Sequence, residues 1–231
     1  MKELHFETID STSTYLKRNR GELDSFTAVS ASFQSEGRGR SGRSWKADKN
    51  ENLLFSILLK DAPQLEAGPF LSLVSAFSVA RSLEGMGMEE ISIKWPNDVY
   101  VAGKKVCGIL LEGNISEYIV IGIGINVNQT EFHDEYRIPP TSIRLELGKE
   151  VDIKGFRALL YKNLEEDLKD CLNKRRFISY YEGHDYLKGK KVEHLGDTCT
   201  VIGVDEDFAL ILEKDGVKEK VTSSEVTLKL V

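Results

Sequence analysis

Apolar residues along the chain fall mostly into short alternating or continuous runs, with helical spacing in only a few longer stretches. Leu4 to Ile9 alternates loosely as a strand and runs into Asp10-Ser11-Thr12-Ser13, a cluster suited to capping a helix over Thr14 to Asn19. Thr27 to Phe33 and Leu53 to Leu59 read as strands. Phe70 to Leu83 places Phe70, Leu71, Val74, Phe77, Val79 and Leu83 among small residues, the pattern of a buried helix that Gly85 and Gly87 end. Ile91 to Trp95, Lys105 to Glu112 and Tyr118 to Val127, joined by turns rich in Pro, Asn, Asp and Gly, predict a meander within one sheet. Phe156 to Leu172 predicts a charged surface helix with one apolar stripe, continuing toward Tyr181.

From about residue 187 the pattern changes. Lys191 to Leu195, Cys199 to Val204, Ala209 to Leu212, Lys218 to Val221 and Val226 to Leu230 are short β segments whose turns carry Gly196, Asp205 to Asp207 and Asp215-Gly216. This predicts two domains, residues 1–186 and a small barrel-like β domain over 187–231.

With 231 residues, 41% of them hydrophobic, the chain can bury one substantial core and a small second one. A net charge of -6 argues against a dedicated nucleic-acid binder. Cys107, Cys171 and Cys199 are widely spaced and no histidine cluster accompanies them, so neither a disulfide framework nor a protein metal cage is expected. The N-terminal residues have no apolar signal core, and no run of about 18 apolar residues occurs. The reading is cytoplasmic, with no membrane partner.

Against that acidic background, Gly37-Arg38-Gly39-Arg40-Ser41-Gly42-Arg43-Ser44-Trp45 stands out. Glycines let backbone approach a ligand, arginine forks bind phosphate or carboxylate, and Trp45 offers an aromatic face. A solvated arginine-glycine tract is the plainer alternative for this run alone. Lys94-Trp95-Pro96-Asn97-Asp98 ends a strand and displays Asn97 and Asp98, as an ordinary Asx turn also would. Lys105 enters an apolar strand in which Gly108 leaves backbone open to a ligand, although a solvated lysine pair is the commoner meaning of Lys104-Lys105. Gly122 and Gly124, two apart, open one face of another strand, which a packed helix could equally fill.

In this order the four segments resemble the catalytic domain of biotin–protein ligases, whose hallmarks are G-R-G-R-x-G-R-x-W, K-W-P-N-D, G-[RK]-K-x-x-G-[IV]-L-x-E and G-x-G-I-N. The early D-S-T of that pattern is present as Asp10-Ser11-Thr12, and its glutamine as Gln34; Ser13 departs from it, since many relatives carry Asn there. The resemblance covers about residues 4 to 128, and the β-rich tail is similar to the family's SH3-like C-terminal domain. It implies an α+β fold: a mixed or antiparallel central sheet with flanking helices, like class II synthetases, plus that small barrel. Because the chain opens directly on the first catalytic strand, the expectation is a ligase without the DNA-binding domain of repressor-type members.

The resemblance further implies ATP-dependent activation of biotin to biotinyl-5′-AMP, then transfer to a lysine of a biotin carboxyl carrier protein domain. The implied biotin contacts are Ser11, Thr12, Ser13, Gln34, Gly37, Arg38, Gly39, Arg40, Lys105, Gly108, Gly122 and Gly124. ATP or adenylate would be held by Arg38, Arg40, Arg43, Trp45, Asn97, Lys105 and Asn126. Lys105 and Arg40 would stabilise charge at the α-phosphate, and Asp98 would orient or deprotonate the acceptor lysine. Mg2+ is expected to come with the ATP phosphates, not in a protein cage. The oligomeric state is not set by the sequence, and a homodimer is one admissible form. Two rival readings are a lipoate or octanoate ligase or transferase and, more distantly, a non-enzymatic RNA-binding module.

Overall fold

The computed structural model describes residues 1–134, 136, 138–222 and 229–230. A seven-stranded sheet dominates it. Its strands are β1 (Lys2–Phe6), β2 (Thr27–Ala31), β3 (Asn52–Lys60), β4 (Ile91–Lys94), β5 (Asp98–Val101), β6 (Lys104–Asn114) and β7 (Tyr118–Asn126), in the spatial order β1-β2-β3-β7-β6-β5-β4. Only the β1–β2 pair is parallel; the others are antiparallel. The helices are α1 (Thr12–Asn19), α2 (Leu71–Glu84), α3 (Ile143–Leu147), α4 (Ile153–Lys169) and α5 (Lys174–His184).

The two faces of the sheet differ because alternate residues along each strand point to opposite sides. Ile119, Ile121, Ile123 and Ile125 of β7 join Leu53, Phe55 and Ile57 of β3 under α2 and α4 in the main core. Helix α2 is buried nearly all round, which fits its small and apolar sequence, whereas α4 buries one stripe of Phe156, Leu160, Leu164 and Leu168 at a spacing of four. On the opposite face, Val29, Leu58 and Val120 pack with Leu16 of α1, whose N-cap is Ser11. Helix α1 covers only one end. Toward the other end the same face carries Ser56, Gly122, Gly124 and Gly108, and there the sheet lies open.

A second, antiparallel sheet has the order β11-β10-β9-β8-β12, built from β8 (Lys191–His194), β9 (Asp197–Val204), β10 (Leu210–Lys214), β11 (Val217–Val221) and β12 (Lys229–Leu230). Its Val192, Val201, Phe208 and Leu210 are continuous with the main core, and the Trp95 indole Nε1 donates to the Phe208 carbonyl at 2.9 Å.

Three expectations change. The meander has four strands, because Asp98–Val101, read as turn, pairs on both sides as β5. The helix expected to continue from Leu172 toward Tyr181 instead stops at Lys169, and a new one starts at Lys174. After this break α5 runs as a separate helix, with Phe177 and Tyr181 both buried in the main core. Of the strand expected over Val226 to Leu230, residues 226–228 lie outside the described residues, and Lys229–Leu230 pairs with β8.

Candidate active site

The open end of the sheet forms the floor of a cavity of about 400 Å³, walled by the arginine-glycine loop and by Phe132, Asp134, Tyr136, Ile138 and Pro140. That size suits a small organic ligand. The glycines explain why space exists at all. A Cβ on Gly124 would lie 2.5 Å from Trp45 Cε2, one on Gly108 2.8 Å from Trp45 Cζ3, and one on Gly122 2.8 Å from Ser13 Oγ. The recess over Gly108 and Gly124 therefore holds the Trp45 indole, and Gly122 makes room for Ser13. No helix fills it. The indole Nε1 is buried and has no hydrogen-bond partner among the described residues, so it offers a donor in the cavity wall.

The loop closes on itself as a small hairpin: Trp45 N donates to Gly37 O at 2.9 Å and Gly39 N to Arg43 O at 2.8 Å, with Ser41 and Gly42 at positive φ in the turn. Gly37 is needed for this closure, since a Cβ there would sit 2.3 Å from the Trp45 carbonyl oxygen. Arg38 pairs with Glu112 of β6 at 3.1 Å, and Lys17 of α1 reaches the same Glu112 oxygen at 2.7 Å. These contacts anchor the loop across the sheet. Arg40 donates to Asn97 Oδ1 at 3.2 Å, while Asn97 Nδ2 donates to the Ile109 carbonyl at 2.6 Å. Asn97 thus ties the loop to the β5–β6 edge. Burial pulls the Arg40 pKa down, against the opposing influence of Asp98.

At the opposite end of the floor, Gln34 Oε1 accepts from Thr12 N at 2.8 Å and from Thr12 Oγ1 at 3.0 Å. Ser56 Oγ lies 2.7 Å from Thr12 Oγ1 and 2.8 Å from Ser13 Oγ. Four polar side chains, the three hydroxyl-bearing ones buried, converge here with nothing charged among them.

Lys105 reaches the cavity through a β-bulge. In β5–β6, Val99 pairs with Cys107 but Tyr100 pairs with Lys105, so Val106 is an extra residue. Regular alternation would have sent Lys105 to the core side with Cys107. Instead Val106 and Cys107 both enter the core, and Lys105 turns to the site, as bulges beside functional sites commonly do. Its Nζ donates to Asp98 Oδ1 at 2.6 Å and lies 5.6 Å from the Trp45 ring. Asn126 also lines the cavity, but its Nδ2 is committed to the Thr141 carbonyl at 2.9 Å and holds the far wall in place.

Every residue expected at the site lines this one cavity except Gly37, which shapes the loop behind it. Sequence reasoning missed Ser56, whose signal was a lone serine inside the apolar run Asn52–Lys60. It also missed Tyr100, Phe132, Tyr136 and Pro140, which carry no motif. Among the described residues no group of three or more His, Cys, Asp or Glu side chains could hold a metal. No described helix is long and apolar enough to cross a membrane.

A profile of the biotin/lipoate A/B protein ligase family matches residues 5–126. The chain is 31% identical to the bifunctional ligase/repressor BirA of Escherichia coli over 96% of its own length and 72% of the relative's. It is 36% identical to a biotin–[acetyl-CoA-carboxylase] ligase of Mycobacterium tuberculosis over 77% of this chain and 68% of that one. A biotin protein ligase from Aquifex aeolicus, solved in complex with biotin and ATP, superposes with a TM-score of 0.88 at 31% identity, covering 100% of this chain and 99% of the other.

Proposed function

Because the chain belongs to the biotin/lipoate A/B protein ligase family, we propose that its cavity performs the two half-reactions of biotin–protein ligation. It is a biotin–protein ligase, and its substrates are biotin, ATP and a biotin carboxyl carrier protein domain. In the first step a biotin carboxylate oxygen attacks the α-phosphorus of ATP, and the bond to pyrophosphate breaks. In the second, a carrier lysine amine attacks the acyl carbon, the bond to AMP breaks, and the nitrogen loses a proton.

The observation that carries this reading is the division of the cavity into an uncharged polar end, a cationic middle and an aromatic end. The neutral cluster of Thr12, Ser13, Gln34 and Ser56 suits a ureido group, which is uncharged and offers both donors and an acceptor. Arg38, Arg40 and Lys105 face the place where two anionic reactants must meet, and fixed cations stabilise the charge that develops there. Trp45, over its glycine recess, is the face for adenine, with Asn97 and Asn126 framing it. Asp98 holds Lys105 in place and is our candidate to receive the acceptor ammonium. Mg2+ fits as a companion of the ATP phosphates, since the nearby carboxylates Asp98 and Asp134 are each paired with a lysine. We place the boundary of the C-terminal domain near residue 187 and the enzyme in the cytoplasm, in keeping with three free, buried cysteines.

Lipoate is the weaker fit. Its dithiolane ring has no N–H or carbonyl, so seating it on the polar floor would strand buried hydrogen-bonding groups. A transfer assay with radiolabelled biotin, ATP and a carrier domain tests the assignment: label on the carrier is expected, and labelling by octanoate or lipoate in place of biotin would refute it.

A further inference from the structure

The floor of the cavity holds its hydroxyl protons in one forced order. From that order we infer that Ser56 is a positioning residue that fixes the donor and acceptor pattern met by the ureido ring. The inference rests on the reading of this cavity as a biotin site.

The order follows from a single unambiguous group. Thr12 N, a backbone N–H, can only donate, so the Gln34 atom 2.8 Å from it is the carbonyl oxygen. Thr12 Oγ1, 3.0 Å from the same oxygen, must then donate to it, because an amide oxygen has no proton to give. A hydroxyl has one proton. With Thr12 spent on Gln34, the 2.7 Å contact between Thr12 and Ser56 requires Ser56 to donate. With Ser56 spent on Thr12, the 2.8 Å contact between Ser56 and Ser13 requires Ser13 to donate. The chain therefore runs from Ser13 through Ser56 and Thr12 to Gln34, and every hydroxyl proton in it is committed.

What remains for a ligand is specific. Gln34 Nε2 makes no hydrogen bond among the described residues and presents N–H donors. Ser13 Oγ, its own proton turned away, presents only lone pairs. A cyclic urea matches both: its carbonyl accepts from Gln34, and a ring N–H donates to Ser13. Ser56 is fully buried and sits in the middle of the chain, so it acts through its neighbours. Gly122 fits the same scheme, since any side chain there would strike Ser13 Oγ.

Ser56→Ala removes the acceptor that turns the Ser13 proton away, and Ser13 becomes free to donate into the cavity. The test is calorimetric titration of the full chain with biotin and with its two cyclic carbamate analogues, each having one ring N–H replaced by oxygen. ATP is absent from these titrations; thermal melting and the KM for ATP are measured in parallel. The unaltered chain is expected to prefer biotin to one carbamate by roughly tenfold, the worth of one hydrogen bond lost beside an unsatisfied acceptor. Ser56→Ala should bind biotin roughly tenfold more weakly. It should also lose most of that preference, because the freed Ser13 hydroxyl can donate to the ring oxygen. Melting and the KM for ATP should hold. Ser13→Ala, altered at the chain's end, should lose the same preference. Equal weakening toward biotin and both carbamates would mean that Ser56 only packs, and would overturn the inference. Unchanged biotin affinity in Ser56→Ala, with normal uptake by the unaltered chain, overturns the inference alone. No biotin uptake by the unaltered chain overturns the cavity reading and the inference with it.

Discussion

Replacing Gly124 with alanine separates the two ends of the cavity. Gly124 does not adopt a positive φ, so the backbone accepts alanine, and the whole effect falls on what the new methyl meets. It meets the indole: its Cβ would lie 2.5 Å from Trp45 Cε2 and 2.8 Å from Nε1. Carbon atoms rest at about 3.5–4.0 Å, so the ring must retreat by about 1 Å or more. Trp45 ends a largely exposed loop, so this retreat moves the loop and leaves the core intact. Gly→Ala also stiffens the unfolded chain, worth about 0.4–1 kcal/mol in favour of folding, and melting should change little. Loss of a stacked base costs about 1–3 kcal/mol, which raises the KM for ATP roughly fivefold to a hundredfold or somewhat more. Biotin affinity without ATP should stay near that of the unaltered chain. Gly122→Ala is the counterpart. Its methyl would lie 2.8 Å from Ser13 Oγ, and it should weaken biotin while sparing the KM for ATP. Calorimetry with biotin and initial-rate measurement of adenylate formation over an ATP series read both effects. If Gly124→Ala weakened biotin and left the KM for ATP alone, the assignment of Trp45 to adenine would be refuted.

Lys105→Ala should lower adenylate formation by about two to three orders of magnitude, the usual effect of removing a fixed group that stabilises transition-state charge. Melting should shift little, because the Lys105–Asp98 pair is partly solvated, and Lys105→Arg should not restore the rate, since a planar fork cannot reproduce a point charge in this geometry. Chromatographic adenylate yield beside a melting curve checks this, and an unchanged yield removes Lys105 from the chemistry. Trp95→Phe should destabilise the fold by about 1–3 kcal/mol, because it strands the buried Phe208 carbonyl that links the two sheets. An unaltered melting temperature would show that this link carries no load.

Much of this site was legible because its chemistry is concentrated in short runs. Gly37 to Trp45, Asn97-Asp98, Lys105 to Gly108 and Gly122 to Asn126 each declare themselves by residues that a core or an ordinary turn does not need. The illegible parts depend on pairing across the fold. β5 was read as turn because Asp98 and the preceding Pro96-Asn97 mask a four-residue strand that only its partners reveal. The bulge that turns Lys105 toward the site leaves no trace in the alternation of β6, since it shows only against the register of β5. Ser56 looked like a neutral interruption of an apolar strand; its meaning comes from Thr12 and Ser13, more than forty positions away. The break between α4 and α5 falls at Asp170-Cys171-Leu172-Asn173, where three poor helix formers interrupt the run but the apolar Cys171-Leu172 pair keeps the stripe going.

Strand β7 carries two messages interleaved at every second position. Ile119, Ile121, Ile123 and Ile125 send their side chains into the core, while Gly122, Gly124 and Asn126 lie on the cavity side. Substitutions in one set can accumulate without consulting the other, so affinity and folding are free to drift separately. Loss or gain of a single residue within the strand is different in kind. It would turn isoleucines toward the cavity and glycines toward the core, erasing catalysis and the folded state in one event.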